Sequence, residues 1–505
     1  MVNQLAREVI VVGQGGSVEI LGERPGWFVG STAASRGVKS ARAAVMVRRV
    51  DDAVVVDVDS TGVHPVYAGQ ADGRWIVGSS KVGVARALPA DTICPKVVAR
   101  RLGDWRRNPK DTLFDGIWRL APGARVVVGG ASGFDVENAP DECPDIDMEQ
   151  VSYGSAEDAP DRLRYLLLER AAALAEVYGR VHVGLSGGVD SSALVAALVA
   201  QGHRPVVWLF DDRCSSEVER GFAEALIQRL DVESREIAVD PASLPEHFET
   251  AVEYADEPII NARAVAKFVF YRHVAESKPN CFATGVGADD LFAGKPEGWT
   301  VDDSGIPGFA ANGRTARELG RRIVRPGIDV SESKLEGSVD VPRLRRLQME
   351  CVTRPLVFSM ELHVPAAMGI KTAAPYMDPA VIGFAEAMDR EQLIGATRGK
   401  RVLRQAVEPL VGRAIAWQQK TAVYAPVGGG EESIRKRWAD VFAHLLMGRR
   451  LAALDCVHLP TVETLIDDYR TLPLSSAQIA TIERVLMHLS SLTVLAGCTT
   501  GRRGR

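Results

Sequence analysis

Cysteine and histidine are scarce in this 505-residue sequence, and no long apolar run stands out in it. The seven cysteines, of which Cys94 is the first, are an odd number without CxxC spacing, and the nine histidines form no HExxH pattern. These absences argue against a disulfide framework and a zinc site, and they favour reduced thiols. No segment is typical of a signal peptide or a membrane span, so we expect a soluble, cytoplasmic protein without a membrane partner.

An excess of positive charge is also missing. The formal net charge is −5 at pH 7, whereas general nucleic-acid binders need a basic surface to displace counterions. We therefore expect no nucleic-acid partner. A hydrophobic content of 46% and a charged content of 25% are typical of a globular protein, and the length allows two or three domains.

The spacing of apolar residues divides the sequence into two regions. Up to about residue 135, short apolar segments alternate with Gly, Asp and Ser, which predicts a β-rich domain with strands near residues 9–12, 43–47, 53–58 and 75–77. An acidic, Pro-containing stretch at 133–160 is typical of a linker. Beyond it, helical segments separate predicted strands at 181–185, 205–210 and 280–284, and from about 340 the pattern is mostly helical. This predicts an α/β fold with a doubly wound parallel sheet, and domains at 1–150 and 151–505.

The most informative segment is LSGGVDSS, from Leu185 to Ser192. It follows an apolar strand and opens a helix, so its backbone, its hydroxyls and the helix N-terminus can bind an oxyanion. Asp190 would repel a bare phosphate, but it fits if it binds a Mg²⁺ that the phosphates share. The alternative is an ordinary Gly/Ser turn, and the lack of a lysine excludes the phosphate loop of kinases and GTPases.

A second turn of this kind is TGVGADDLF, from Thr284 to Phe292. If the two turns follow neighbouring parallel strands, they face each other at one edge of the sheet. Asp190 and Asp289 could then share Mg²⁺ with a triphosphate. Taken singly, each acid is more often a helix N-cap, so the prediction of a metal site depends on the pair.

Basic residues mark a third region. Lys400 and Arg404 lie four residues apart on a predicted helix, a spacing that is usually found on a solvated face. Lys420 precedes a Gly-rich stretch at 426–430, which suits either a lid that closes over phosphates or a plain loop.

In this order the segments resemble the asparagine synthetase B superfamily. The similar stretches are 186–192, 256–258 with the sequence DEP, 284–292, 374–378 and 400–404. The resemblance implies a C-terminal ATP-pyrophosphatase domain that uses ATP and Mg²⁺ and releases AMP and pyrophosphate. It implies that Asp190 and Asp289 bind Mg²⁺, and that the nucleotide or pyrophosphate contacts Leu185, Ser186, Gly187, Gly188, Asp190, Ser191, Ser192, Leu209, Gly285, Lys400 and Lys420.

The N-terminal region resembles the family's glutaminase domain, an Ntn-hydrolase-like fold, at residues 59–67, 79–81 and 114–123. Active glutaminases of the family carry a cysteine directly after Met1, where this sequence has Val2. The resemblance therefore implies an inactive, degenerate domain. This is characteristic of the branches that use an amine already present in the substrate, namely β-lactam synthetase, carbapenam synthetase and the lasso-peptide macrolactam cyclases.

The catalytic residues implied by the resemblance are Lys420, Lys400 and Glu361. Lys420 resembles the lysine that stabilises the adenylate and the tetrahedral transition state in the ring-closing synthetases. Those enzymes pair a tyrosine, at the position of Val286, with a glutamate that helps to deprotonate the amine. Valine cannot take that role, and Glu361 is the candidate for the glutamate.

The resemblance implies an ATP-dependent carbon–nitrogen ligase that adenylates a carboxylate and transfers it to an amine. An intramolecular amine is favoured, as in lactam or macrolactam formation during antibiotic biosynthesis. One alternative is an amidotransferase fed by ammonia or by a separate glutaminase, and another is an inactive assembly subunit. The expected partners are a small-molecule or peptide substrate and a protein that delivers it, and the sequence leaves the oligomeric state open.

Overall fold

A computed structural model describes the fold. The described residues are 10–14, 17–21, 27–29, 45–88, 93–129, 133–137, 158–211, 217–311, 313–337, 339–395, 398–419, 431–447, 451 and 454–500, with side chains described between residues 45 and 498.

Two five-stranded sheets form the N-terminal part. Their strands are β1 (Ile10–Gln14), β2 (Ser17–Leu21), β3 (Trp27–Val29), β4 (Val45–Val50), β5 (Ala53–Asp57), β6 (Tyr67–Ala71), β7 (Arg74–Gly78), β8 (Ile117–Arg119), β9 (Arg125–Gly129) and β10 (Gly133–Glu137). The strand orders are β2-β1-β7-β6-β8 and β10-β9-β5-β4-β3, and every pair except β3–β4 is antiparallel.

Alternate residues of these strands form one apolar core between the two sheets. Val54 and Val56 of β5 and Val126 and Val128 of β9 are fully buried, and they pack in the same cluster as Val77 of the other sheet. A period of two places every second side chain on the same face, so each sheet presents one apolar face to its partner.

Five parallel strands form the C-terminal sheet. They are β11 (His182–Gly184), β12 (Val206–Asp211), β13 (Glu233–Ala238), β14 (Phe282–Ala283) and β15 (Thr372–Ala373), in the order β13-β12-β11-β14-β15. The chain moves outward from β11 to β13 and then returns to β14 on the other side of β11. The connections after β11 and β14 therefore diverge, which leaves a crevice at the carboxyl ends of these two strands.

The remainder of the chain is mostly helical. The described α-helices are α1 (Lys81–Ala87), α2 (Pro95–Gly103), α3 (Ala159–Tyr178), α4 (Val189–Ala200), α5 (Glu217–Leu230), α6 (Leu244–Ala255), α7 (Ala262–Glu276), α8 (Ala288–Leu291), α9 (Gly308–Ala311), α10 (Arg314–Ile323), α11 (Val341–Gln348), α12 (Val364–Ala367), α13 (Pro379–Glu386), α14 (Arg390–Leu393), α15 (Arg401–Val411), α16 (Arg413–Ala416), α17 (Glu432–Leu446), α18 (Leu459–Thr471) and α19 (Ser476–Thr500). Between α11 and α12, Met349–Val357 and Ser359–His363 are π-helical, and Pro355, which cannot donate a backbone hydrogen bond, lies in the first of these segments.

Helix α3 shows how the sequence produces these elements. Its apolar residues Leu163, Leu167, Ala171 and Ala175 recur every four positions and are buried. This stripe faces the core, where α3 packs against α4 and α15. The helix ends at Gly179, whose φ of 71° is easily adopted only by glycine and whose N–H donates to the carbonyl of Ala175.

Helix α19 is long and apolar enough to cross a membrane by length and composition, so the expectation that the chain holds no such run was wrong. However, 78% of its apolar window is buried inside the protein. Leu486, Leu489, Leu492 and Leu495 are completely buried in the core. The length of this helix therefore reflects its place in the centre of the fold.

The predicted alternation of strands and helices around a parallel sheet is confirmed. The predicted linker at 133–160 was wrong at both ends, because 133–137 form strand β10 and α3 begins at Ala159. Among the described strands, β10 pairs with β9 alone, at the edge of the sheet. Its acids Asp135 and Glu137 lie on a largely exposed strand. An edge strand tolerates charges that an interior strand would bury. The domain boundary at 150/151 falls outside the described residues and stays a prediction.

The two halves are joined by a buried polar contact. Glu257 pairs with Lys81 at 2.7 Å and with Arg101 at 3.0 Å, and all three side chains are less than 10% exposed. The carboxylate of Asp256 accepts hydrogen bonds from the backbone N–H groups of Lys81 at 2.8 Å and Val82 at 3.2 Å. An acid at the amino end of a helix compensates its free N–H groups, so Asp256 fixes α1 against the C-terminal half.

A buried acid in the helical region predicts a pH-dependent stability. Glu483 accepts a hydrogen bond from the hydroxyl of Tyr469 at 3.1 Å, and burial raises its pKa to about 7. Between about pH 4.5 and 7 the unfolded chain loses this proton while the folded chain retains it, so the free energy of unfolding should fall as the pH rises, by about 3 kcal/mol in total. Glu483→Gln should remove this decline, as measured by urea unfolding at several pH values. The exposed Glu246→Gln is the control, and an unchanged pH profile in Glu483→Gln would contradict the assignment.

Candidate active site

The crevice between β11 and β14 brings the two Gly-rich turns into contact. After β11 the chain turns through Leu185–Gly188 into α4, and after β14 it turns through Thr284–Gly287 into α8. A Cβ added to Gly285 would lie 3.0 Å from the Cβ of Asp190 and 3.1 Å from the backbone nitrogen of Ser191. A glycine is therefore needed where the second turn touches the first.

Serine hydroxyls organise the first turn. The N–H of Ser186 donates to Oγ of Ser191 at 3.1 Å, and the N–H of Gly188 donates to Oγ of Ser186 at 3.2 Å. The hydroxyl of Ser191 lies 3.3 Å from the carbonyl of Gly188, to which it donates. The hydroxyl of Ser192 is buried and has no hydrogen-bond partner in the described part of the chain. Hydrogen bonds with its own serine side chains thus fix the conformation of the turn at the N-terminus of α4.

Gly187 is required for two separate reasons. Its φ of 83° is unfavourable for residues with a Cβ, and an added Cβ would lie 1.9 Å from the carbonyl oxygen of Glu219. Its own carbonyl accepts a hydrogen bond from the side-chain amide of Gln418. The turn therefore packs tightly between α5 and the segment that follows α16.

Lys400 connects the two predicted metal ligands. Its Nζ lies 2.5 Å from Oδ2 of Asp190 and 2.5 Å from Oδ1 of Asp289, and its side chain is only 3% exposed. Burial alone would lower the pKa of Lys400, but the two carboxylates outweigh burial and raise it. The residue is therefore a cation that holds the acids of both turns together.

The backbone around Lys400 is equally constrained. Lys400 has a φ of 62°, and its N–H donates to the carbonyl of Phe292 at 2.8 Å. Beside it, a Cβ on Gly399 would lie 1.7 Å from the carbonyl oxygen of Ala293, and one on Gly294 would lie 1.8 Å from Oδ1 of Asp289. These close approaches bring the start of α15 against the turn that carries Asp289.

The donor set fits a divalent cation that is shared with a ligand. The described residues contain no cluster of three or more His, Cys, Asp or Glu side chains that could bind a metal without other ligands. The carboxylates of Asp190 and Asp289 nevertheless converge, and Oδ1 of Asp190 is buried without a hydrogen-bond partner among the described residues. Mg²⁺ is often held by one or two carboxylates together with substrate phosphates, which matches this arrangement.

Arg404 is buried, whereas its spacing with Lys400 predicted that both residues lie on a solvated helix face. Its guanidinium donates to the carbonyls of Gly399 at 3.0 Å, Ala416 at 2.5 Å and Gln418 at 3.0 Å. The first turn of α15 faces the crevice, so both basic residues point inward and are satisfied there. Arg404 therefore fixes the segment that leads to Lys420, but Lys420 itself and the Gly-rich stretch at 426–430 lie outside the described residues.

Asp290 has a structural role that the sequence pattern did not indicate. Its Oδ1 accepts hydrogen bonds from the hydroxyl of Thr353 at 2.5 Å and from the amide of Gln348 at 2.8 Å. Burial raises the pKa of Asp290 to about 6, although both hydrogen bonds oppose this shift. Asp290 thus ties the acidic turn to the π-helical segment, while the hydroxyl of Tyr376 donates to the carbonyl of Asp190 at 3.0 Å. This role of Asp290 is visible only from its contacts with residues about 60 positions away in the sequence.

Glu361 lies on the second π-helical segment. It accepts a hydrogen bond from the hydroxyl of Tyr271 at 2.7 Å and pairs with Lys267, and both partners are on α7. Its neighbour Leu362 packs in the same apolar cluster as Val286 of the second turn. Leu209 is half-buried on β12, where it is paired with Glu236 of the neighbouring strand β13. Leu209 follows Trp208, whose carbonyl accepts a hydrogen bond from the N–H of Leu185 at 2.9 Å, so it lies beside the first turn. The structure thus brings both turns and both predicted metal ligands together at Lys400.

A family model described as "Asparagine synthase" matches residues 163–492 of the chain. This range contains both turns, Lys400, Glu361 and Lys420, and it leaves out the two N-terminal sheets.

Curated relatives come from Mycobacterium bovis and Mycobacterium tuberculosis, and they carry the provisional name glutamine-hydrolyzing asparagine synthetase. Each is 23% identical over 298 residues, which cover 48% of this chain and 44% of the relative. The match therefore spans less than half the length of the curated relatives. Among solved structures, an NMN synthetase from Francisella tularensis is similar at 12% identity and a TM-score of 0.22, covering 54% of this chain and all of that one. A TM-score this low supports no structural argument.

Because Gly187 is tightly packed, we expect an added methyl group to destabilise the protein more there than at a glycine with free space around it. Gly187→Ala introduces both an unfavourable φ and a collision with the carbonyl of Glu219, whereas Gly202, with a φ of 80°, has nothing within 4 Å of an added Cβ. Gly202→Ala should cost about 1–2 kcal/mol, the conformational penalty alone. Gly187→Ala should cost about 1–3 kcal/mol more, as measured by urea unfolding. Equal losses in the two variants would contradict the close approach of Glu219.

Proposed function

The chain belongs to the asparagine synthase family, and on that premise we propose that it is an ATP-dependent carbon–nitrogen ligase. It activates a substrate carboxylate as an acyl-adenylate, releases pyrophosphate, and transfers the acyl group to an amine. The observation that most directly supports this function is the contact of an oxyanion-type turn with an acidic turn, bridged by Lys400 at 2.5 Å from each acid.

In the first step, a carboxylate oxygen of the substrate attacks the α-phosphorus of ATP. A bond forms between that oxygen and phosphorus, and the bond from the α-phosphorus to the bridging oxygen breaks, so that pyrophosphate leaves. The backbone and hydroxyls of Ser186–Ser192, at the N-terminus of α4, bind the departing pyrophosphate. Positioning and charge compensation of this kind account for most of the catalysis of phosphoryl and nucleotidyl transfer.

Asp190 and Asp289 would hold Mg²⁺, which when bound neutralises phosphate oxygens and polarises the reacting phosphate. Lys400 keeps these two acids together and supplies a fixed positive charge beside the turn that binds pyrophosphate. Because the ammonium lies between the acids and is nearly fully buried, it needs no reorganisation when the negative charge of the leaving group develops.

In the second step, the amine attacks the carbonyl carbon of the adenylate and AMP leaves. We assign to Lys420 the stabilisation of the tetrahedral intermediate and of the departing AMP, on the basis of its place in the sequence. Glu361 is our candidate for the proton acceptor. Burial would raise the pKa of Glu361, but the charge of Lys267 and the hydrogen bonds from Lys267 and Tyr271 lower it, so the carboxylate is ionised. A substrate that displaced Lys267 would make Glu361 a stronger base.

The amine is proposed to come from the substrate itself, which makes a lactam or a macrolactam the favoured product. Burial raises the pKa of each described cysteine (Cys94, Cys281, Cys351, Cys456 and Cys498), whereas a nucleophilic thiol needs a lowered one. For Cys94, the described cysteine of the N-terminal part, this supports an inactive glutaminase-like scaffold, in keeping with the two packed sheets. The five described cysteines are free, which also favours the cytoplasm. For a peptide substrate, we propose that a partner protein delivers it.

Adenylation provides the decisive test. An ATP–pyrophosphate exchange screen with amino acids and peptides as substrates should identify an acid that the wild-type protein activates. Asp190→Asn should lower exchange with that acid by at least about 100-fold, because the charge that faces the phosphates is removed. The control is Asp161→Asn, whose carboxylate is 74% exposed on α3. Full exchange in Asp190→Asn would contradict the site, and no exchange with any acid would favour an inactive assembly subunit.

Amide formation tests the second step separately. Glu361→Gln and Tyr271→Phe should retain ATP–pyrophosphate exchange but lower product formation by about 100-fold to 10,000-fold, the usual range for a lost general base and its support. Mass spectrometry of the product distinguishes the amine sources, since ring closure removes one water from the substrate, whereas ammonia converts its carboxylate into a primary amide. A parallel loss of exchange and product in Glu361→Gln would exclude a role confined to the second step.

A further inference from the structure

A cationic cavity of about 140 Å³ lies between the N-terminal sheets and the C-terminal half. Tyr67 and Leu120 line it from the first part, and Glu350 and Pro355 line it from the second. Six basic residues contribute to its wall, namely Lys81, Arg101, Arg107, Lys110, Arg119 and Arg354. The cavity is thus built by both halves of the chain and is separate from the Lys400 site.

The acids of the wall compensate only part of this charge. Among the described lining residues, three are acidic, namely Asp111, Glu257 and Glu350. Glu257 is shared by Lys81 at 2.7 Å and Arg101 at 3.0 Å. Asp111 is also paired outside the cavity, with Arg100 at 3.1 Å. The described wall therefore has an excess of positive charge.

Arg107 and Arg119 carry two of the positive charges of this wall. The Nη1 atom of Arg107 is buried without a hydrogen-bond partner in the described part of the chain. Burial, followed by the charge of Arg101, lowers the pKa of Arg107 to about 10. Arg119 donates to the backbone carbonyl of Gly62 at 3.4 Å. A buried guanidinium with an unmet donor costs free energy that an anionic ligand would recover.

We propose that this cavity binds a small oxyanion, a phosphate or a carboxylate, between Arg107, Arg119 and the Lys81–Glu257–Arg101 group. Guanidinium groups present planar pairs of N–H donors that match the oxygens of both anions. The volume corresponds to about four or five water molecules, which is enough for a small anion.

The position of the cavity gives the ligand a structural consequence. Its wall includes Glu350 and Pro355, which flank Thr353, and Thr353 donates a hydrogen bond to Asp290 beside the acidic turn. An anion in the cavity would contact both halves of the chain and stabilise their association. This inference is independent of the ligase proposal, because it uses neither the turns nor Lys400.

Binding can be measured by calorimetry on the full chain, with inorganic phosphate and succinate as separate probes. Either probe should bind with an affinity that falls at high salt, and the probe that binds identifies the class of anion. Arg107→Gln and Arg119→Gln should each weaken binding by about 10-fold to 100-fold, because each removes a charged hydrogen-bond donor. The control is Arg413→Gln, whose side chain is 85% exposed on α16 and should leave the affinity unchanged.

Crystals soaked in selenate provide a direct location, since a selenium peak beside Arg107 would support the proposal. Circular dichroism of each variant verifies folding, and Arg119→Gln provides the test if Arg107→Gln does not fold. Two results would overturn the proposal: the absence of binding by both probes, or binding that neither Arg107→Gln nor Arg119→Gln weakens. The second result would place the anion elsewhere, for example at Ser186–Ser192.

Discussion

An ammonium group held between two carboxylates is the interaction on which the candidate site depends. Lys400 is almost completely buried and lies 2.5 Å from both Asp190 and Asp289, which belong to turns almost 100 residues apart. Without the lysine, the two acids would repel each other, because solvent screens their charges only partly at this site. The left-handed backbone of Lys400 and the close packing of Gly399 and Gly294 are the local constraints that bring this cation to the crevice.

The strand order explains why the crevice exists at that place. Because β14 returns to the opposite side of β11 from β12, the turns that follow β11 and β14 are neighbours with no helix between them. The N-terminal half contacts the C-terminal half through Asp256, which caps α1, and through Glu257, which pairs with Lys81 and Arg101. A segment that resembles a family motif thus serves to join the two halves, and it also forms one side of the cationic cavity.

Features that depend only on local chemistry were predictable. The Leu185–Ser192 turn, the acid at Asp289 and the alternation of strands and helices could be deduced from short segments, because glycine, hydroxyl and acid patterns act over a few residues. The burial of Lys400 and Arg404 could not, since spacing of four residues fits either face of a helix. The hydrogen bonds of Asp290 with Thr353 and Gln348 span about 60 residues, and strand β10 was hidden by its acidic composition.

The sequence by itself determined the class of fold, the family and the types of residue available for binding phosphates and metal. Only the tertiary structure decided which of the acids converge, which cation joins them and which residues hold Glu361. Asp190 and Asp289 meet at Lys400, while Glu361 is held by Lys267 and Tyr271 on α7. The physical reason is that electrostatic and hydrogen-bonding interactions depend on distances in space. Those distances are set by the order of the strands and by the packing of the helices around them.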